Sequence, residues 1–377
     1  MSVPTKNKSL LEKIAATLLK GEEPEILTDE QKKRIAESIS NKAELNQLLD
    51  AEGQQFLARI TGKQKKNFRV RRLYWYSAAA SILILVSVGL FLYQNIEDSI
   101  YDDGTYISIK TGTDKATLTL SDGSEVSLEK GQTYTSEHSV SNGEKITYQS
   151  AKTTGNDIKY NYLTIPRGGQ FLIKLSDGTQ VWLNSETQIK YPVTFSESET
   201  RKVELVYGEA YFDVSPSTEN NGTKFKVLNQ SQEIEVLGTE FNIKAYKDET
   251  YIYTTLVEGK VSITGKGLDD KLLMEPNHMT TLNLQNRELI YAPTNVYYIT
   301  SWREGVFVFK SETLEEIFKV LGRWYDFKVV FKNDITKKIR FDGLLSRDEK
   351  ITKLMQFFVE SNFIEAYDID NKTIIIQ

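Results

Sequence analysis

The 377-residue sequence contains no cysteine and only two histidines, His138 and His278. Without cysteine there can be no disulfides, thiolate nucleophiles or sulfur metal ligands, and the chain can occupy an oxidising compartment without mispairing. Two imidazoles are too few for most zinc sites, and neither has a His or Cys neighbour at ligand spacing. Also missing are a G-x-S-x-G elbow, an H-E-x-x-H pair and a histidine placed to complete a triad. The expectation is therefore no catalytic residue, no metal, no cofactor and no enzyme of the usual hydrolase kinds. The outer part of the chain lacks excess positive charge: residues 94–377 hold 32 Lys/Arg against 42 Asp/Glu, which argues against nucleic acid as a partner.

Residues 73–93 lack charge altogether. They read LYWYSAAASILILVSVGLFLY, 21 residues that as a helix reach about 30 Å, the thickness of a bilayer hydrocarbon core. Tyr74, Trp75 and Tyr76 stand at one end and Phe91 and Tyr93 at the other, where amphipathic rings favour the interface. Lys63, Lys65, Lys66, Arg69, Arg71 and Arg72 precede the run, and Glu97, Asp98, Asp102 and Asp103 follow it. By the positive-inside rule this basic cluster sets the topology: one pass, N-terminus in the cytoplasm, C-terminal portion outside. A buried core helix rarely stays uncharged for so long. A signal peptide would need a charged region of 72 residues before its apolar core.

Residues 1–72 carry 15 Lys/Arg and 10 Asp/Glu and contain no strand-like run. Leu10, Leu11, Ile14, Leu18 and Leu19 fall at helical spacing, Gly21 and Pro24 end that helix, and Thr28-Asp29-Glu30-Gln31 offers a capped start for another. The segment reads either as a marginal helical tail or as amphipathic helices that dock on a cytoplasmic partner.

Beyond the span the apolar period changes to two: Leu118/Leu120, Val126/Leu128, Val203/Leu205/Tyr207 and Ile234/Val236, between turns of Gly, Asn, Asp and Ser. An all-β domain, a sandwich or a short solenoid, is expected over residues 104–292. One repeat stands out, Leu120-Ser-Asp-Gly-Ser-Glu-Val-Ser-Leu128 and Leu175-Ser-Asp-Gly-Thr-Gln-Val-Trp-Leu183. Each Asp-Gly predicts a type I′ hairpin turn with two residues at positive φ, so Asp122 and Asp177 read as turn-formers and not as paired catalytic carboxylates. Arg167-Gly168-Gly169 has no Lys-Ser/Thr after it and leads into a strand, so it reads as a turn and not a phosphate cradle. Gly208-Glu209, Gly238-Thr239 and Glu258-Gly259 read as turns or bulges.

After Tyr297 the pattern becomes mixed. Strands are expected at Val306–Phe309, Phe327–Phe331, Ile339–Leu344, Ala366–Ile369 and Thr373–Ile376. Helices are expected from Ser311-Glu312-Thr313 onward (Leu314, Ile317, Phe318, Leu321) and around Leu354, Phe357 and Phe358. Residues 300–377 thus form a small α+β domain.

The runs TIPRGGQFLIKLSDGTQVWLNSETQIKYPVTF (164–195), VELVYGEAYFDV (203–214), EVLGTEFNIKAY (235–246) and TTLVEGKVSI (254–263) resemble, in order, the FecR family of membrane-bound anti-sigma factors of the iron-dicitrate-transport regulator type. WREGVFVF, LGRWYDFKVVF, IRFDGLL and YDIDNKTIII resemble the C-terminal domain attached to FecR proteins of Bacteroidetes-type bacteria, itself similar to the signalling domain of TonB-dependent transducers.

The resemblance implies an inner-membrane regulator of nutrient uptake genes, for iron chelates or glycans. Residues 1–72 would bind an extracytoplasmic-function sigma factor, and the outer portion would bind the signalling domain of a TonB-dependent outer-membrane transporter. It also implies a candidate self-cleavage step at Gly238-Thr239, since some members cut themselves at a Gly-Thr step in a corresponding VLGT motif. The alternatives are a periplasmic glycan- or cell-wall-binding membrane protein, with tyrosines as stacking platforms, and a scaffold without a signalling role.

Overall fold

The computed structural model describes residues 109–150, 158–196, 199–265 and 271–377. Residues 1–72 with their expected helices, the basic cluster Lys63–Arg72 and the span expected at 73–93 lie outside these residues. Among the described residues no helix is long and apolar enough to cross a membrane.

Among the described residues up to Pro293, period-two patterning broken by turn residues gives eighteen strands. The first group is β1 (Thr113–Thr119), β2 (Glu125–Glu129), β3 (Tyr134–Thr135), β4 (Ser139–Ser141) and β5 (Lys145–Tyr148). Next come β6 (Tyr160–Ile165), β7 (Gly169–Lys174), β8 (Gln180–Leu183), β9 (Thr187–Pro192) and the 13-residue β10 (Arg201–Asp213). The third group is β11 (Phe225–Leu228), β12 (Gln232–Val236), β13 (Glu240–Ala245), β14 (Tyr251–Glu258), β15 (Val261–Gly265), β16 (Leu272–Met274), β17 (His278–Asn283) and β18 (Leu289–Pro293).

One layer runs β2-β1-β6-β9-β10-β11-β12-β15-β16 and the other β3-β4-β5-β7-β8-β10-β13-β14-β17-β18. Most pairs are antiparallel. A single core draws on both layers, with Leu163, Ile189, Leu205 and Val227 from the first and Ile173, Val181, Phe212 and Ile243 from the second. This is a β-sandwich in which consecutive hairpins alternate between layers. β10 belongs to both, pairing with β9 through its first half and with β8 and β13 through its second.

The crossing breaks the simple alternation. The register shifts between Leu205 and Tyr207, so Tyr207 is only half-buried, in contrast to Val203 and Leu205. Gly208 follows at φ 102°, and a Cβ there would run into Thr187. A bulge re-aims a strand in this way, and glycine at positive φ permits it.

The two Asp-Gly hairpins form, but with a different turn. Only Gly123 (φ 87°) and Gly178 (φ 91°) are at positive φ, not the aspartates before them. Leu120 N donates to Ser124 O and Gly123 N to Leu120 O, and the same pair of bonds recurs at Leu175, Gly178 and Thr179. These are three-residue loops closed by a glycine bulge, not type I′ turns. The aspartate is free of positive φ because its carboxylate accepts the amide of the residue two ahead, at 2.9 Å for Asp122 and 3.0 Å for Asp177.

The C-terminal module begins with α1 (Val296–Thr300) and a 3₁₀ turn (Ser301–Glu304). It continues with β19 (Val306–Thr313), α2 (Leu314–Tyr325), β20 (Lys328–Phe331), α3 (Asp334–Lys337), β21 (Arg340–Ser346), α4 (Ile351–Glu360), β22 (Tyr367–Asp370) and β23 (Thr373–Ile376). Thr313 and Glu316 form a capping box at the start of α2, and Asp326 ends that helix in the left-handed conformation. Helical spacing puts Leu314, Ile317, Phe318, Leu321, Trp324 and Tyr325 on its buried face, each large side chain contributing about 1.5–3 kcal/mol by leaving water. Two sheets, β19–β21 and β20-β23-β22, enclose α2 and α4 around a second core. The expected elements are present, with β19 running four residues past Phe309 through a register shift and with short α1 and α3 in addition. Trp302, Trp324 and Tyr325 are all buried.

Candidate functional site

The Arg167-Gly168-Gly169 turn between β6 and β7 does more than reverse the chain. Gly168, at φ 69°, donates its N–H to Arg323 O of α2 at 2.7 Å. Arg167 Nη2 donates to Gly322 O (2.7 Å) and Phe327 O (2.8 Å), and its Nη1 to Glu186 Oε2 (2.8 Å). Its Nε lies 3.4 Å from the Asp326 carboxylate. The last carbonyls of a helix lack partners in the helix and carry the negative end of its dipole. Here the sandwich supplies a backbone donor, Gly168 N–H, to Arg323 O, and the Arg167 guanidinium adds a charged donor at Gly322 O, which also accepts from Asp326 N and Phe327 N.

Arg323, from the last turn of α2, reaches the other way. Its Nη2 meets Asp248 Oδ1 at 2.6 Å, its Nη1 Glu249 Oε1 at 2.9 Å and its Nε Glu186 Oε2 at 3.5 Å. The guanidinium also lies 3.7 Å from the ring centroid of Tyr246. Arg303, in the 3₁₀ turn, sits 3.4 Å from the ring centroid of Tyr211 and 5.3 Å from that of Trp182, both on the outer face of the second layer. A flat, weakly hydrated guanidinium stacks on an aromatic face more closely than a strongly hydrated ammonium does.

A buried polar chain runs beneath these contacts. Glu209, next to the β10 bulge, accepts from Asn184 Nδ2 at 2.8 Å and Asn242 Nδ2 at 3.0 Å. Asn184 Oδ1 accepts from Arg347 Nη2 at 3.2 Å, and Arg347 Nη1 donates to Trp302 O at 2.7 Å. Burial raises the Glu209 carboxyl above its ordinary range against the opposing pull of Lys244 and the two amides. Burial likewise lowers the Arg347 guanidinium to about 10. A cavity of about 20 Å³, space for roughly one water, lies between Asn184, Glu209, Tyr246, Arg323 and Trp324.

The arrangement clamps two folded bodies together through arginines, carboxylates and rings. No nucleophile–base pair is among its members, and among the described residues no cluster of His, Cys, Asp or Glu could hold a metal ion. Asp122 is an exposed turn-former, whereas Asp177 also receives Arg201 Nη1 at 2.7 Å in the interior. Gly238-Thr239 lies between β12 and β13, with Thr239 Oγ1 donating to Lys260 O at 3.1 Å and the residue largely buried. Gly238 is at φ 159°, close to extended, and a Cβ there would lie 3.0 Å from Pro216 Cα. Sequence reasoning missed the seam. Its only signal was arginine beside turn glycines and in the last turn of a helix, and a single sequence does not pair such residues over 150 positions.

Residues 161–262 match the family model described as FecR protein, and residues 306–376 match the one described as FecR, C-terminal. Arg167, Glu209 and Glu249 fall in the first match and Arg323 and Arg347 in the second, so the seam joins the two matched regions. The fold is shared with two crystal structures of a candidate anti-sigma factor from Parabacteroides distasonis ATCC 8503, at 1.65 and 2.50 Å resolution. Each is 24% identical with a TM-score of 0.51, over 57% and 58% of this chain and 98% of theirs. No curated protein matches the chain.

Proposed function

We propose that this chain, which belongs to the FecR family, is an anti-sigma regulator that carries a signal from outside the cytoplasm to a sigma factor. Residues 1–72 hold an extracytoplasmic-function sigma factor, residues 73–93 cross the inner membrane once, and the sandwich with its C-terminal module receives the signal. The observation that carries this reading is the seam, which makes one receiving unit of the two matched domains. The module's strand edges fit a partner that adds a strand, such as the signalling domain of a TonB-dependent transporter. Among the described residues β20 and β22 each pair only with β23. Val330 on β20 and Ile335 beside it are 49% and 75% exposed. An unpaired edge with apolar side chains is what β-augmentation uses. Such a partner shifts the regulator only in so far as it binds two of its states differently.

A bacterial two-hybrid screen of residues 1–72 against the sigma factors of the host tests the reading. One specific partner is expected, together with altered transcription of its target genes on deletion of the chain. No partner and unchanged transcription would refute it. Tyr148, Tyr191, Tyr211, Tyr246 and Tyr325 are buried and cannot serve as stacking platforms, so the glycan-binding alternative would rest on the exposed Tyr160, Tyr251, Tyr291, Tyr297 and Tyr298.

Self-cleavage at Gly238-Thr239 would run by attack of Thr239 Oγ on the Gly238 carbonyl carbon. The peptide C–N bond breaks, the new amine keeps the hydroxyl proton, and water then hydrolyses the ester. Supporting it is the placement of Thr239 Oγ1 beside the Gly259-Lys260 turn, where Lys260 O accepts its proton in a hydrogen bond. Blotting both ends of the protein against Thr239→Ala tests it: two fragments lost in the variant are expected, and a single full-length band in both refutes it.

A further inference from the structure

Residues 109–112 lead into β1 and stand fifteen residues beyond the predicted span, about 50 Å of chain at full extension. Ile109 packs on the core of the C-terminal module, not on that of the sandwich whose first strand it precedes. A Cβ at Gly112 would lie 2.5 Å from Cε3 of Trp324. Gly112 is absent from the glycines at positive φ, so the ring alone demands the missing side chain. Trp324 has little room to yield: its Nε1 donates to Arg347 O at 2.8 Å, and the Arg347 guanidinium lies 3.6 Å from its ring centroid. Immediately after, Thr113 N donates to Gly168 O at 3.0 Å, and Gly168 N donates to Arg323 O at 2.7 Å. Entry segment, sandwich turn and the end of α2 are thus hydrogen-bonded in series.

We propose that the C-terminal module is a clasp on the entry segment, holding Ile109–Gly112 at rest and releasing it when a protein partner binds the module in its displaced position. The last domain of the chain would thereby control the stretch that leads to the membrane, without the signal crossing the body of the sandwich. The regulatory output rests on the anti-sigma reading above; the clasp itself does not. Pulling the module away removes the cover of Ile109 and breaks the bond from Gly168 to Arg323. It leaves the bond from Thr113 to Gly168, which lies within the sandwich, intact.

The absence of cysteine allows a clean test in the full-length membrane-bound chain. Ile109→Cys reports on the clasp and Ala210→Cys, in the sandwich core, reports on folding. Each is labelled with a maleimide, alone and combined with Gly112→Val. The expected result is about tenfold faster labelling at position 109, because a side chain forced against a held ring opens the contact, with position 210 still protected. Lys110→Val, an exposed neighbour, should leave both rates unchanged. Equal rates at position 109 with and without Gly112→Val would overturn the clasp. If both positions label faster, Gly112→Ala replaces the larger change and is read in the same way. A transcriptional reporter for the captured sigma factor is followed in parallel. Faster labelling with a reporter that responds to deletion of the chain but not to Gly112→Val overturns the regulatory role. A reporter insensitive even to deletion refutes the anti-sigma reading and leaves the clasp to the labelling result.

Discussion

The Leu-Ser-Asp-Gly repeat contains its own control for the worth of a buried ion pair. Asp122 and Asp177 occupy the same place in the same three-residue loop, and each accepts the amide and hydroxyl of the residue two ahead. Only Asp177 also meets Arg201, and the two side chains are 2% and 1% exposed. Arg201 otherwise donates to Ser215 O and Thr223 O, both at 3.0 Å, which leaves its charge with neutral acceptors once the carboxylate is gone. Breaking such a pair by removing one partner costs about 3–5 kcal/mol. In a unit as large as Asp103–Gln377 that lowers the melting temperature by about 10 °C. Asp177→Ala should therefore melt far below the parent in thermal unfolding followed by circular dichroism, and Asp122→Ala, at the solvent-exposed copy, close to it. Asp177→Leu with Arg201→Met, which removes both charges, should recover more than half of the loss. Equal shifts for the two alanine variants would refute the reasoning, since the loops alone would then account for both.

The seam yields three further expectations. Arg323→Met strips Asp248 of its partner, leaves Glu249 with Lys244 alone and should cost about 3 kcal/mol, the lower end for a buried pair because Glu249 keeps one cation and Asp248 is largely exposed. Calorimetry should then show the module melting ahead of the sandwich, and a single unshifted transition would count against the clamp. Glu209 is buried with a raised carboxyl pKa, so its stabilising contribution is complete in acid, below the ordinary value of 4.5, and is lost as pH climbs through the raised value. Glu209→Gln should accordingly gain on the parent in melting temperature between pH 4.5 and 8, helped by Asn242, whose Oδ1 has no partner and can turn to accept. A constant difference over that range would refute the assignment. Gly208→Ala should destabilise by about 2 kcal/mol or more, because it meets Thr187 at a positive φ; a chemical denaturation midpoint within error of the parent would exclude the bulge as described.

Much of the fold was legible because its signals are local. Alternation at Val203/Leu205 and Ile234/Val236 reports burial on one face of a strand, and the capping residues before Leu314 mark a helix start within a residue or two. Tyr207 defeated the alternation because a bulge shifts the phase by one residue, and only the glycine after it gives notice. The Asp-Gly turns were placed correctly but given the wrong backbone, since Asp can hold the turn through its carboxylate as well as through positive φ. The seam could not be read at all. Arg167 and Arg323 are each unremarkable in their local sequence, and their partners, Gly322 O and Glu249 among them, lie on the other side of a seam that only the folded chain brings together. Asp177 was undervalued for the same reason: its partner, Arg201, lies 24 positions away at the start of another strand.

The materials of the seam bear on what happens when it opens. Had the module been held to the sandwich by leucines and valines, parting them would bare greasy surface, and the opened form would stick to whatever it met. Guanidinium groups and carboxylates are tolerated by water, and tyrosine and tryptophan rings each carry a polar tip. If the clasp opens as proposed, the faces it bares carry charges as well as rings, and so bare less apolar surface than a leucine-lined seam would. Opening would hand these ion pairs to the surrounding salt, which screens charges little while they are buried and strongly once they are exposed.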